Sequence, residues 1–376
     1  MKKVLIVQRT LPHYRIAFFA MLAERLRERG IELALCYGDA SQDIQLSSPT
    51  LHSWKAPLQT WQIFGTQLTL QKISPRQLIA HDLIIVEQAN RLVLNFLLFL
   101  LRPWRQFRIA FWGHGYNHQA IESSTLSERI KRGVVHWPDW WFAYTGETRR
   151  YLHSLGYPTL RITTVDNTID IRQLIDHLDA ITEVDIAEFR AVHNIRGTHV
   201  GVFCGSLYAE KKLDFLLAAA LRIRERDQRF ELIIAGDGKE RPLVEQFAAA
   251  HDWVHYVGPR FGREQALLFR LATLQLLPGA VGLAVVDSIV SGTPLITTDC
   301  GLHGPEIEYL RNGENGLITA VDIEAYAAAV CDALLDDRKL DYWKRNCQVE
   351  VDRFQLDAMA DRFAQGIHRC LHESRR

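Results

Sequence analysis

The sequence is poor in the features that mark specialised chains. It has 6 cysteines, and Cys36, Cys204, Cys300, Cys331, Cys347 and Cys370 form no C-x-x-C, so neither a zinc spacing nor a disulfide framework is indicated. Scattered thiols suit a reducing cytoplasm. Lys+Arg and Asp+Glu both total 44, which removes any overall basic field for nucleic acid and requires an anion site to be local. Long apolar runs are also missing. The longest, Leu92 to Leu101, is interrupted by Asn95 and falls short of the ~20 residues that span a bilayer. MKKVLIVQ at the start turns polar too soon for a signal-peptide core and reads as a first strand. That strand is followed by RTLPHYR in place of G-x-G-x-x-G, which argues against a nicotinamide-dependent dehydrogenase. No internal repeat or low-complexity tract is evident.

What remains is an ordinary globular composition. With 376 residues, 48% of them hydrophobic, the chain suits two domains of roughly 150 to 200 residues each. Strand and helix signals alternate, the pattern of α/β architecture with parallel sheets. VLIVQ, ELALCYG, DLIIVEQ, FRIAFWGHG and WWFAYTG read as strands of a first domain over 1–180. THVGVFCG, ELIIAGDG, WVHYVGP, LQLLPG and TPLITTD read as strands of a second over 181–355. A last helix, about 356–376, is placed so that it can pack back on the first domain. Ligands of open α/β sheets collect at the carboxyl ends of the strands, so the loops there carry the search.

Three such loops lie in the second domain. In GSLYAEKK, Gly205 lets the backbone turn close to a ligand and Lys211 places an ammonium at the mouth, unless it is simply solvated. In AGDGKE, Gly236 and Gly238 flank Asp237, either as ligand contacts or as a tight turn with its cap. In PGAVGLAVVDSIVSGTPLITTD, Gly282 leaves the N–H groups at the next helix start accessible, and the positive end of a helix favours a phosphate there. Asp287, more than a turn inside, suits a hydroxyl pair such as a ribose.

In order and spacing these loops resemble glycosyltransferase family 4, retaining nucleotide-sugar enzymes of the GT-B fold. The family's G-R-L-x-x-x-K-G, A-G-x-G and P-x-x-x-E-G-F-G-L-x-x-x-E segments stand here as GSLYAEKK, AGDGKE and PGAVGLAVVD. NTID (167–170) and PEIEYLRNGENGLI (305–318) match two further elements. The resemblance implies two Rossmann-like domains facing each other across a cleft. The donor would be a nucleoside-diphosphate sugar, with its ribose on Asp287 and its diphosphate on Lys211 and the N–H groups of Val281, Gly282 and Leu283. No metal or other cofactor is implied. Two departures stand out: Gly279 replaces the first glutamate of E-x7-E, and Ser206 replaces the arginine beside Lys211.

The first domain would hold the acceptor, a glycan or a lipid-linked glycan. His13, Tyr14 and Arg15 in PHYRIAFF offer hydrogen bonds, stacking and charge, or else form a helix cap. His114 sits between glycines at the family position of a histidine near the reacting sugar; the alternative is a satisfied structural histidine. A metal pair of His114 and His118 lacks helical geometry and a third ligand. Glu87 ends a strand, either solvated or touching acceptor, and Arg260 either covers the nucleobase or is solvated. The tryptophans of RIKRGVVHWPDWWF (129–142) are expected to bury against the sheet. Together with Leu92 to Arg105, that run alternatively forms a surface against the inner leaflet of a membrane. The resulting expectation is a cytoplasmic retaining glycosyltransferase of bacterial surface polysaccharide synthesis. The alternatives are a non-catalytic nucleotide-sugar-binding or scaffold protein and a sugar-nucleotide epimerase.

Overall fold

The computed structural model describes residues 1–40, 51–63, 66–89, 92–101, 106–115 and 133–373. The chain divides into two compact units, Met1–Asp170 with Leu356–Arg376, and Ile171–Gln355. The boundary thus falls at 170 instead of the expected 180.

The first unit holds β1 (Lys2–Leu11), β2 (Ile31–Ala40), β3 (His52–Lys55), β4 (Leu58–Ile63), β5 (Thr66–Gln71), β6 (Leu83–Glu87), β7 (Arg108–Gly113), β8 (Trp140–Ala143) and β9 (Ile162–Thr164). Seven of these form a sheet in the order β3-β2-β1-β6-β7-β8-β9, with every pairing parallel. β4 and β5 form a separate antiparallel hairpin. Successive side chains of a strand point to opposite faces, and both faces here are covered. Val4, Ile6, Leu83, Ile85, Trp140 and Phe142 pack in one core. Leu5, Val7, Ile84, Val86, Trp141 and Ala143 pack in the other. This explains why these strands read as continuous apolar runs and why both tryptophans of the WW pair are buried.

The first core is closed by α1 (Ile16–Arg27) and by the C-terminal helix Leu356–His372. That helix presents Leu356, Met359, Ala360, Phe363, Ala364 and Ile367, a helical apolar stripe. Phe363 stacks on Phe142 at 4.2 Å. A Cβ at Gly366 would lie 2.5 Å from the Thr163 hydroxyl, so glycine lets the helix approach the sheet. Among the described residues the unit also holds three shorter α-helices, α2 (Pro75–Ile79), α3 (Val93–Leu100) and α4 (Gly146–Ser154).

The second unit begins with α5 (Arg172–Ala180) and α6 (Glu183–Val192). They belong there because Arg270 donates to the Leu178 carbonyl and Arg263 pairs with Asp185. Its sheet runs β12-β11-β10-β13-β14-β15 and is all parallel. The strands are β10 (His199–Cys204), β11 (Phe230–Ala235), β12 (Val254–Tyr256), β13 (Leu274–Leu276), β14 (Leu295–Thr298) and β15 (Gly316–Thr319). Around it lie α7 (Leu213–Arg226), α8 (Arg241–Ala250), α9 (Arg263–Leu271), α10 (Ala284–Ser291), α11 (Ile323–Leu334) and α12 (Asp337–Gln348). Both sheets contain the doubly wound order, in which the sequence of strands changes direction between β1 and β6 and between β10 and β13 while all strands stay parallel. Such switch points open the crevices in which these folds bind ligands. No helix among the described residues is long and apolar enough to cross a membrane.

Candidate functional site

At the switch point of the second unit the three glycine loops come together. A Cβ on Gly236 would lie 1.8 Å from the Gly205 carbonyl oxygen, and one on Gly238 would lie 2.2 Å from that of Leu207. Only glycine permits this approach, and Gly236 also holds φ +152°. The Leu207 N–H donates to the Asp237 carbonyl, and Glu240 N–H donates back to Leu207. Tyr256 secures the second loop by donating its hydroxyl to the Gly236 carbonyl at 2.9 Å.

The third loop closes on the first. A Cβ on Gly279 would fall 2.3 Å from the Glu210 carbonyl oxygen and 2.4 Å from the carbonyl carbon of Lys211. The Ala280 N–H donates to Glu210 O at 2.7 Å, and Lys211 Nζ donates to Ala280 O at 2.5 Å. Position 279 therefore has no room for a side chain in this arrangement. Lys211 is buried, which lowers its pKa. One of its three ammonium donors is engaged by Ala280 O. Ser206 is exposed at the edge of the same turn.

Beyond Ala280 the N–H groups differ. That of Val281 donates to His303 Nδ1 at 3.1 Å, while His303 Nε2 lies 2.6 Å from the Thr298 carbonyl. These partners place the ring proton on Nε2. Among the described residues no hydrogen bond takes up the N–H of Gly282 or Leu283, which lead into α10. A helix start with such donors attracts an anion. Asp287 lies in the first turn of α10, not more than a turn inside as expected, because the helix starts only at Ala284; it is partly exposed and has no hydrogen-bond partner among the described residues. Desolvation pushes its pKa up to about 7. Burial, with the Asp287 carboxylate adding to it, pushes the neighbouring Cys204 thiol up to about 12. Arg260 pairs with Glu264 at 3.0 Å, and its Nε is buried with no hydrogen-bond partner among the described residues.

In the first unit the switch point gathers the end of β1 and that of β6. Glu87 accepts from the Arg9 N–H at 2.8 Å, and burial raises its pKa against that bond. His13 and Tyr14 are exposed. Arg15 is not. Its guanidinium is buried, donating to Thr168 O at 3.2 Å and Asn167 Oδ1 at 2.5 Å, with Trp112 facing it at 5.3 Å. It ties the chain after β1 to the NTID segment. His114 follows β7, half-buried, edge-on to Tyr144 at 4.4 Å. Its loop is set by Gln88, whose side-chain oxygen accepts from Gly115 N–H at 2.7 Å. His118 lies outside the described residues. Among those described, no group of three or more His, Cys, Asp or Glu is arranged to hold a metal.

Two Rossmann-order sheets, one with a glycine-lined cradle at its switch point, define a two-unit α/β fold. Residues 198–336 match the family described as glycosyl transferases group 1, so the second unit carries a domain of that group. The chain is 26% identical over 199 residues to the alpha-D-kanosaminyltransferase of Streptomyces kanamyceticus, covering 51% of this chain and 50% of that one. The chain thus spans about half the length of this curated relative. Among solved structures it is similar to Anabaena Alr3699/HepE, in complex with UDP, at TM-score 0.72 and 15% identity, covering 98% of this chain and all of the other. It is also similar to WaaG, a glycosyltransferase involved in lipopolysaccharide biosynthesis, at TM-score 0.60 and 14% identity over 96% of this chain and 98% of that one. The fold is GT-B.

Proposed function

We propose that this protein is a glycosyltransferase that moves a sugar from a nucleoside diphosphate to a glycan or lipid-linked acceptor, with retention of configuration. The observation that carries the reading is the cradle of the second unit. Three glycine turns lie at one switch point with two N–H groups at a helix start and a carboxylate, none of the three with a hydrogen-bond partner among the described residues. The diphosphate would sit on the N–H groups of Gly282 and Leu283 with Lys211 beneath them, and the ribose hydroxyls would donate to Asp287. Val281 acts differently: its N–H holds His303 and so shapes the loop.

The chemistry needs charge on a departing diphosphate to be stabilised, and preorganised donors supply that without reorganisation. No metal is invoked. The first unit would present the acceptor, with His13, Tyr14, His114 and Glu87 as its contacts and Arg15 as the strut beneath them. UDP is the first nucleotide to try, since the similar Anabaena protein was crystallised with UDP and with UDP-glucose. A role in surface polysaccharide synthesis draws its support from the likeness to WaaG.

Gly279 supports a second reading, a nucleotide-sugar-binding protein without transfer, because the side chain that the family places there is excluded by the backbone of Glu210 and Lys211. Calorimetric titration with UDP, GDP and ADP, followed by a search for sugar release or transfer from the matching nucleotide sugar, separates the two. Saturable binding with turnover supports the enzyme. Binding without turnover across a panel of sugars and acceptors supports the second reading, and no binding by any nucleotide sinks both.

A further inference from the structure

We infer that His303 is a positioning residue for the donor diphosphate: its neutral ring holds the Val281 peptide, and with it the N–H groups of Gly282 and Leu283, and a proton on Nδ1 undoes that hold. The inference rests on the donor site proposed for the second unit.

Three observations carry it. First, the hold is double. The Val281 N–H donates to His303 Nδ1 at 3.1 Å, and the Gly304 N–H donates back to Val281 O at 2.7 Å. Two consecutive residues thus take both backbone groups of Val281. A Cβ on Gly304 would lie 3.5 Å from Val281 O and 3.6 Å from Gly282 Cα, so the two loops touch where the N–H groups of the cradle begin.

Second, the ring hangs from the sheet. His303 is buried, and its Nε2 donates to the Thr298 carbonyl at 2.6 Å, at the end of β14. Thr298 in turn donates its hydroxyl to the Pro278 carbonyl at 2.6 Å. One strand end therefore fixes the cradle loop at Pro278 directly and at Val281 through an imidazole.

Third, the two ring nitrogens have opposite duties. Nδ1 has to accept, so a second proton would set one N–H against another and leave the Val281 amide without its acceptor. An imidazole takes up such a proton between about pH 8 and 5. The other ionisable groups around the ring, among the described residues, are the Cys300 thiol, with Sγ 3.6 Å from Nε2, and the Lys211 ammonium, which reaches Ala280 O and feels the charge of Cys300. The Glu306 carboxyl lies with Oε2 2.6 Å from a Cβ built on Gly304, Asp287 follows in the first turn of α10, and Asp299, exposed, follows Thr298. Lys211 opposes a charge on the ring and the carboxylates favour one. Their balance sets the pH of the change, whereas its direction follows from the two facing N–H groups.

Two readouts test this, the first without ligand. In protein isotope-labelled at histidine and valine, ring spectra at about pH 8 should show His303 neutral with its proton on Nε2, and the Val281 amide signal should move with the His303 titration as pH falls. In His303→Asn, whose Oδ1 stands where Nδ1 stood and still accepts, the amide should lose that dependence. The second readout is calorimetric titration with UDP-glucose, or with GDP- or ADP-glucose where the wild type prefers it. The diphosphate of these sugars is a diester, without the proton that a terminal phosphate loses near about pH 6. Asp287→Asn serves as the background, so that this carboxyl does not titrate. There affinity should fall about tenfold from about pH 8 to about 5.5, the worth of one lost acceptor. Adding His303→Asn should hold it within about threefold over the same range, and adding His303→Leu should make it about tenfold weaker already at about pH 8. A His303 proton on Nδ1 at that pH, or a Val281 amide indifferent to the ring, would overturn the inference whatever binds. So would affinity that rises toward low pH, the mark of an imidazolium contacting the anion, or full affinity with leucine at 303. No binding of any of the three sugars by the wild type, beside ring spectra as expected, would sink the donor reading and the diphosphate role together while the hold on Val281 stands.

Discussion

Replacing Asp287 by asparagine keeps the shape of the side chain and removes its charge, and the structure sets the size of the effect. Burial without a partner lifts the Asp287 pKa from 3.8 to about 7. The folded state therefore binds this proton more tightly than the unfolded chain does. The associated stability is fully present below about pH 3.8 and is lost as pH rises to about 7. At ~1.4 kcal/mol per pH unit the ionised carboxylate costs the fold about 4 kcal/mol at pH 8, and partial exposure reduces this to roughly 2 to 4 kcal/mol.

Asp287→Asn should then be more stable than the wild type at pH 8, by ~5 to 10 °C in the transition of the second unit. The gap should narrow at pH 5 and close near pH 4. Scanning calorimetry is the assay, because the two units need not melt together. The same substitution should weaken UDP binding by about tenfold, the loss of one charge-assisted hydrogen bond. Wild-type affinity for UDP should rise from pH 6 to pH 8 as the carboxylate loses its proton. If the variant is no more stable at pH 8, Asp287 has a partner and an ordinary pKa. If UDP binds it as well as the wild type, the carboxylate does not hold the ribose.

Lys211→Ala should cut sugar transfer by ~10²-fold or more, comparable to removing one preorganised donor from a developing anion; single-turnover kinetics that stay near normal would remove Lys211 from the diphosphate. Gly236→Ala forces a Cβ to 1.8 Å from the Gly205 carbonyl and should cost ~3 kcal/mol or more in urea unfolding together with nucleotide binding. Retained binding at full stability would mean that the two turns can separate freely. Arg15→Met leaves Thr168 O and Asn167 Oδ1 without their buried cation and should destabilise the first unit by ~2 to 3 kcal/mol. UDP affinity of that variant should be unchanged, which separates a strut from a donor contact.

The parts of this molecule that were legible in the sequence are those encoded locally. β1, β6, β10 and β11 are apolar on both faces, so their continuous runs announced parallel strands, and the stripe from Leu356 to Ile367 announced the last helix. The hairpin β4–β5 went unread because it is a polar ribbon, with glutamine and threonine at most positions. β3, β9 and β15 also went unread, although β8, β12, β13 and β14 are no longer than these. The cradle divides in the same way. Glycines after strands and a lone carboxylate in an apolar helix are visible one by one, although the helix start at Ala284, which puts Asp287 in the first turn, was not. What makes them a site is contact across the chain, and no local pattern encodes that.

His303 shows the limit: the Val281 N–H it accepts is 22 residues away, and it was not singled out in the sequence, its setting in CGLHGPE being the one local signal on offer. Arg15 shows the reverse error. Next to His13 and Tyr14 it reads as an exposed contact, and only the return of the chain at Asn167 and Thr168 buries it. Gly279 joins both lessons. Read alone it is a missing acid, whereas beside Glu210 and Lys211 it is the residue that lets two loops close. A sugar seated in this cradle would therefore have to be gripped by backbone groups where the family uses a side chain.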